Sequence, residues 1–174
     1  ERVNFKGISC KYQLCLYRFA SEEILAKTPH KVKKSFRFYI LELYSLNMVI
    51  TYQGGAFVKV GFGDITIAVN PISKDSKLKA SRFGADIALI SLNHSDFAGV
   101  DQVSFGEKNA FAVTGPGEYE IKDVFIKGFK SESKYGGEDR LNTIYTVNLE
   151  GMRMCFLGAL SNRDLPSDVI EDID

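Results

Sequence analysis

The sequence predicts an α/β protein of the α+β kind, rich in β-strand from Met48 onward. Three observations carry that expectation: short β-branched and aromatic runs recur in series, glycines punctuate them, and helical periodicity is scarce. MVITYQ, AFVKVGF and DITIAVN come first, parted by Gly54-Gly55 and Gly63-Asp64. DIALIS, residues 86–91, is a near-continuous apolar run of the kind that is covered on both faces. NAFAVTG, EYEIKD and VFIKGFKS follow, broken by Gly115-Pro116-Gly117. TIYTVNLEGMRMCFL predicts two strands folded into a hairpin about Glu150-Gly151. Helical pattern is confined to SKLKASRF (76–83), enough for a turn or two, and SDVIEDID (167–174). SESKYGGEDR, 131–140, reads as a flexible loop because of Gly136-Gly137 and its charges.

A chain of 174 residues, 45% apolar, can bury one ordinary core, so one principal domain is expected. Its 22 basic and 22 acidic residues balance, which argues against a nucleic-acid or membrane surface spread over the whole molecule. The balance hides an asymmetry: residues 1–47 carry nine Lys/Arg and four Asp/Glu, and the remainder is correspondingly acidic. In that first segment SEEILAKTPH suggests a short helix capped by Ser21 and ending near Pro29. Residues 1–47 otherwise keep no clean period, and Met48 is a plausible natural start. An extension or upstream read-through and a basic helical appendage stay open as readings.

Three cysteines, Cys10, Cys15 and Cys155, are an odd number without CxxC spacing. Neither a disulfide framework nor a zinc ribbon is indicated, and a reducing, cytoplasmic setting is the default. No apolar run reaches the roughly 18 residues of a membrane span.

The stretch LISLNHSDFAGV, 89–100, has the outline of a zinc-hydrolase loop, His-x-His-x-Asp-His, with Leu92 and Phe97 in place of two histidines. Around it, ITYQGGAFVKV, Ile67-Ala68-Val69-Asn70-Pro71, Ala85-Asp86-Ile87-Ala88-Leu89-Ile90-Ser91, Thr114-Gly115-Pro116-Gly117-Glu118-Tyr119-Glu120, Leu141-Asn142-Thr143-Ile144-Tyr145 and Leu157-Gly158-Ala159 occur in a familiar order. By these motifs Met48–Asp174 resembles the metallo-β-lactamase fold hydrolases, in the branch of small zinc-dependent hydrolases near the ascorbate-phosphate lactonases. The resemblance implies a four-layer αββα sandwich of which this chain is the β-rich N-terminal half, truncated at its C-terminus. It also implies two zinc ions that polarise a substrate oxygen and supply hydroxide near neutral pH.

Carried over position by position, most of the implied ligands are replaced. His94 and Asp96 stand where two of them fall and are the residual metal positions, with Asp96 the candidate catalytic residue. Leu92 and Phe97 replace two loop histidines, Ala159 the bridging aspartate, Gly55 the histidine of the opening motif, and Asn70 an aspartate. No histidine follows His94, and a last one would lie beyond Asp174. Two protein ligands fall short of the three that catalytic zinc takes beside water. The resulting expectation is a hydrolase-like protein with a degenerate zinc loop, weak or inactive, with zinc expected from the family but lost. The alternatives are an active metal-dependent hydrolase with ligands not visible here, and a non-catalytic binding or nucleic-acid-interacting protein. Candidate partners are a small-molecule ligand in the remnant site and further copies of the chain.

Plainer readings accompany these residues. His94 serves as a hydrogen-bonded structural residue, and Asp96 accepts backbone N–H groups in its turn and at a following helix start. Leu92 and Phe97 are apolar fill. Cys155 is a buried inert thiol. Lys74, Lys77, Lys79 and Arg82 form a solvated loop, and Gly115-Pro116-Gly117, with no Lys-Ser/Thr or helix after it, is a turn. No G-x-S-x-G elbow supports serine hydrolysis. A half-domain would leave the inner face of the first sheet without the sheet it packs on, which predicts an aggregated, oligomeric or partly folded chain.

Overall fold

The computed structural model describes residues 48–173 and the backbone strand at residues 2–4. The helix expected after Ser21 and the status of the segment before Met48 lie outside the described residues, that strand apart.

Strands β1 (Arg2–Asn4), β2 (Val49–Gly54), β3 (Phe57–Phe62), β4 (Ile65–Val69), β5 (Ile87–Leu89) and β6 (Phe111–Val113) form one sheet in that order. Pairing is antiparallel from β1 to β4 and parallel from β4 to β6. The β2–β3 turn needs left-handed backbone, which Gly54 (φ 109°) and Gly55 (φ 58°) supply. β5 is buried at every position, as its uninterrupted apolar run predicts. Between β5 and β6 lies a four-residue helix, α1 (Val100–Val103).

After Gly115-Pro116 the chain leaves the first sheet and builds a second. β7 (Gly117–Ile121), β8 (Val124–Ser133), β9 (Arg140–Leu149) and β10 (Met152–Phe156) pair antiparallel in the order β10-β9-β8-β7. The hairpin about Glu150-Gly151 is as expected, with both residues at positive φ, 51° and 75°. The β7–β8 turn uses the same conformation at Lys122 and Asp123 without a glycine. Helix α2 (Ser167–Ile173) follows, also as expected.

The two sheets face each other. Val60, Ile67, Val69, Ile87, Leu89 and Val113 of the first pack against Val124, Ile126, Tyr145, Val147 and Leu149 of the second. This corrects the expectation of a first sheet lacking its partner: the chain contains both β layers, because β7–β10 fold back over β3–β6. The Tyr145 hydroxyl crosses the gap, 2.9 Å from the Ile90 carbonyl oxygen and 3.1 Å from that of Val113. Burial raises its pKa above the ordinary phenol value.

Each sheet has cover on its outer face. On the first, Phe57, Ala68 and Ala88 lie under Ile72, Ala85 and Val103. On the second, α2 reaches β9 through Asp172, which accepts hydrogen bonds from Thr146 Oγ1 (2.6 Å) and Lys127 Nζ (2.7 Å).

Two local expectations fail. Residues 76–83 are not helical. Hydroxyl-to-backbone bonds compete there: Ser73 Oγ accepts the Asp75 N–H and Ser76 Oγ accepts the Leu78 N–H, at 3.3 and 2.9 Å. The expected loop 131–140 is shorter, since β8 runs to Ser133 and β9 starts at Arg140.

Candidate functional site

The loop 91–99 leaves β5 at one end of the sandwich. Asn70, just past β4, fixes its start: its backbone is left-handed (φ 52°) and its Oδ1 accepts the Ser91 N–H at 3.0 Å. The position that implied an aspartate thus holds a loop-positioning amide. Further on, Ser73 donates its N–H to the Ser95 carbonyl and Gly99 donates to the Pro71 carbonyl, at 2.8 and 2.7 Å. A Cβ on Gly99 would fall 2.2 Å from the Ile72 carbonyl oxygen, so the close approach of these segments requires glycine.

His94 and Asp96 are brought together, but through the backbone. The Asp96 N–H donates to His94 Nδ1 at 3.1 Å, and the Asp96 carboxylate lies 3.6 Å from Nδ1. Both carboxylate oxygens accept hydroxyls. Ser76 Oγ donates to Oδ1 at 2.5 Å and Tyr135 Oη to Oδ2 at 2.7 Å. These two bonds, Ser76 first, hold the Asp96 carboxyl below its ordinary pKa, and the bond to Asp96 raises the Tyr135 phenol. The carboxylate therefore joins side chains from three loops. It does not cap α1, whose N-cap is Gly99 and has no side-chain hydrogen bond.

The replaced positions are apolar and packed. Leu92 is 1% exposed and Phe97 4% exposed. His94, Phe97 and Tyr135 meet edge to face, with ring centroids 5.1 Å apart for His94–Tyr135 and 5.0 Å for Phe97–Tyr135.

Ala159 reaches this end of the sandwich through Asn142. The fully buried Asn142 amide accepts the Ala159 N–H at 2.9 Å and donates to the Leu157 carbonyl (2.9 Å) and to Ser131 Oγ (2.8 Å). Gly158 abuts Ser91 at φ 65°. Gly55, by contrast, lies against Leu78 and Ile72. Cys155 is half-buried, and burial with the nearby Asp172 charge raises its thiol pKa.

Among the described residues no three His, Cys, Asp or Glu side chains come together in a set that could hold a metal ion. His94 and Asp96 are two donors, and the Asp96 carboxylate is already engaged. Among the described residues, these two donors fall short of the three protein ligands that catalytic zinc takes. Ser76, Tyr135 and Asn142 are the site residues that sequence reasoning missed. Tyr135 is 39 residues from Asp96 and Ser76 is 20 away, and neither separation leaves a motif.

The comparisons agree with this architecture. No curated protein matches the chain significantly. Among solved structures, a Thermotoga maritima protein described as a Zn-dependent hydrolase of the metallo-beta-lactamase superfamily is 27% identical with a TM-score of 0.54, over 71% of this chain and 56% of its own. A Parabacteroides distasonis protein described as a metal-dependent hydrolase is 15% identical with a TM-score of 0.50, over 64% of this chain and 60% of its own. CmlA, a diiron beta-hydroxylase from Streptomyces venezuelae, is 15% identical with a TM-score of 0.51, over 72% of this chain and 32% of its own. The last two share the fold alone. The chain spans somewhat over half the length of the first two structures. A family model described as the beta-lactamase superfamily domain matches residues 49–174, and the chain belongs to that family.

Proposed function

We propose that the protein is a metallo-β-lactamase-fold, hydrolase-like protein whose zinc loop is degenerate, weak or inactive as a hydrolase. One observation carries this reading: both oxygens of the Asp96 carboxylate accept side-chain hydroxyls while Leu92 and Phe97, which have no metal-binding atom, are buried beside it. A carboxylate so engaged, beside a single imidazole, offers a metal too few free donors. In this reading the loop is a hydrogen-bonded scaffold, and a small molecule is the ligand class for the remnant site. The odd cysteine count without CxxC spacing supports a reducing, cytoplasmic setting. Among the described residues no helix is long and apolar enough to cross a membrane.

An active metal-dependent hydrolase is the second reading, supported by the retained His94–Asp96 pair and by the zinc-dependent description of the 27% identical relative. Elemental analysis of purified, dialysed protein separates the two. We expect well under one zinc per chain; stoichiometric zinc that disappears in a His94→Ala variant would establish the second reading.

A further inference from the structure

The connection between β8 and β9 lies over the His94–Asp96 loop, with Tyr135 and Gly136 against it. Tyr135 lies on a short 3-10 turn, Tyr135–Gly137. Its hydroxyl donates to Asp96 Oδ2 at 2.7 Å and its ring packs edge to face against both His94 and Phe97. With the turn closed, the His94 and Asp96 side chains are only 26% and 17% exposed. The phenol hydroxyl occupies one hydrogen-bonding position of Asp96 Oδ2.

The connection is exposed and rich in glycine. Gly136 and Gly137 follow Tyr135 in left-handed backbone, φ 75° and 82°, and a Cβ on Gly137 would meet nothing within 4 Å. Lys134, Gly136, Gly137, Glu138 and Asp139 are exposed. Its feet are fixed by bonds that do not involve the His94 or Asp96 side chains. The Lys134 N–H donates to Ser161 Oγ at 2.7 Å and the Tyr135 N–H to Ser133 Oγ at 3.1 Å. On the far side, Arg140 donates to the Asn93 carbonyl at 3.0 Å. Between these anchors, the Tyr135 hydroxyl is the polar contact from residues 135–139 to Asp96.

We propose that residues 134–139 form a strap over the remnant site, latched by the Tyr135–Asp96 hydrogen bond, and that opening of this strap controls access to His94 and Asp96. Ser76 sits outside the latch. It holds the other carboxylate oxygen from the 73–76 turn, so it keeps Asp96 oriented whether the strap is open or closed. The proposal concerns geometry alone and stands whether or not the site takes a metal.

Amide hydrogen exchange by mass spectrometry tests it in the full chain. Tyr135→Phe keeps the ring and removes the latch proton. Exchange should rise together in 134–139 and 93–98, on the order of tenfold for the loss of a hydrogen bond to a charged acceptor, while β9 amides stay protected. The chain has two histidines, His30 and His94, so a His30→Gln background leaves one set of imidazole NMR signals. Those signals should move toward exposed-imidazole positions in Tyr135→Phe as the ring withdraws from His94. Ser76→Ala should loosen 73–78 and leave 134–139 at its parental rate. Faster exchange confined to 134–139, no change in the His94 signals, or equal loosening of the strap by Ser76→Ala would each overturn the latch.

Discussion

Lys122, at the turn between β7 and β8, places its ammonium 2.6 Å from Asp86 Oδ1 at the entrance to β5. The bond ties the second sheet to the first at the edge of the apolar core that Val124 and Ile121 share with Ile65 and Ile87. Asp86 is buried and takes two further donors, Lys108 Nζ at 2.6 Å and the Thr66 N–H at 2.9 Å. Burial alone would push its carboxyl upward. The hydrogen bonds from Lys108, Lys122 and Thr66 outweigh that and hold it below the ordinary 3.8.

Asp86→Asn should therefore destabilise the fold at neutral pH by about 1–2 kcal/mol, toward the low end for a buried pair because both lysines are partly in water. The pH dependence has a definite sign. A carboxyl whose folded pKa is depressed contributes its full stability above the unfolded value and loses it as pH falls through the folded value. Urea unfolding of parent and variant should thus differ at pH 7, start to converge as pH falls below the ordinary 3.8, and meet only below the still lower folded-state value. An equal difference at both ends of that range would exclude the charge as the cause.

Legibility in the sequence followed the range of the interactions. The β5 run and the β9–β10 hairpin were readable because burial and turn chemistry act between neighbours along the chain. So was the end helix at Ser167–Ile173. The 76–83 segment looked helical because periodicity carries no sign of Ser73 and Ser76 bonding back to their own backbone. The Lys122-Asp123 turn was hidden for a related reason: two non-glycine residues adopt positive φ there. The site divided in the same way. His94, Asp96, Leu92 and Phe97 share one motif, whereas Ser76, Tyr135 and Asn142 reach it through tertiary folding. The second sheet was readable strand by strand, but its packing against the first was not, since nothing local says which face of β8 and β9 turns inward.

Gly158 is a position where a single methyl should cost heavily. A Cβ there would sit 2.4 Å from Asn142 Oδ1 and 2.6 Å from Ser91 Oγ, on backbone at φ 65°. Neither neighbour can retreat cheaply: Asn142 is fully buried with its amide satisfied, and Ser91 is 3% exposed. Gly158→Ala should lose about 2–4 kcal/mol, the sum of left-handed strain and overpacking. Gly151→Ala is the control, with similar φ (75°) and nothing within 4 Å, and should lose only about 1 kcal/mol. Equal urea midpoints for the two variants would show that the Asn142–Ser91 contact yields.

The last prediction concerns putting donors back. Leu92→His, Phe97→His and Ala159→Asp together would supply the side chains that the family resemblance places at those positions. Part of the frame is ready for them: Asn142 already holds the Ala159 backbone, and Asn70 holds Ser91. The cost falls on the packing. Leu92 and Phe97 are almost completely buried, so the two imidazoles lose water and must find hydrogen-bond partners in packing built for apolar side chains. Asp96 must also exchange the hydroxyls of Ser76 and Tyr135 for a metal, and metal-bound histidines need acceptors for their second nitrogen that apolar neighbours do not offer. Without metal, the triple variant should melt well below the parent, by about 2–5 kcal/mol in stability. Zinc should recover only a small part, because a ligand stabilises in proportion to how far its concentration exceeds its dissociation constant. Thermal melts with zinc and with chelator measure both terms. A zinc-dependent rise that restores the parental melting temperature would mean that the surroundings still organise a metal site, and that Leu92, Phe97 and Ala159 are all that stands between this loop and its metal.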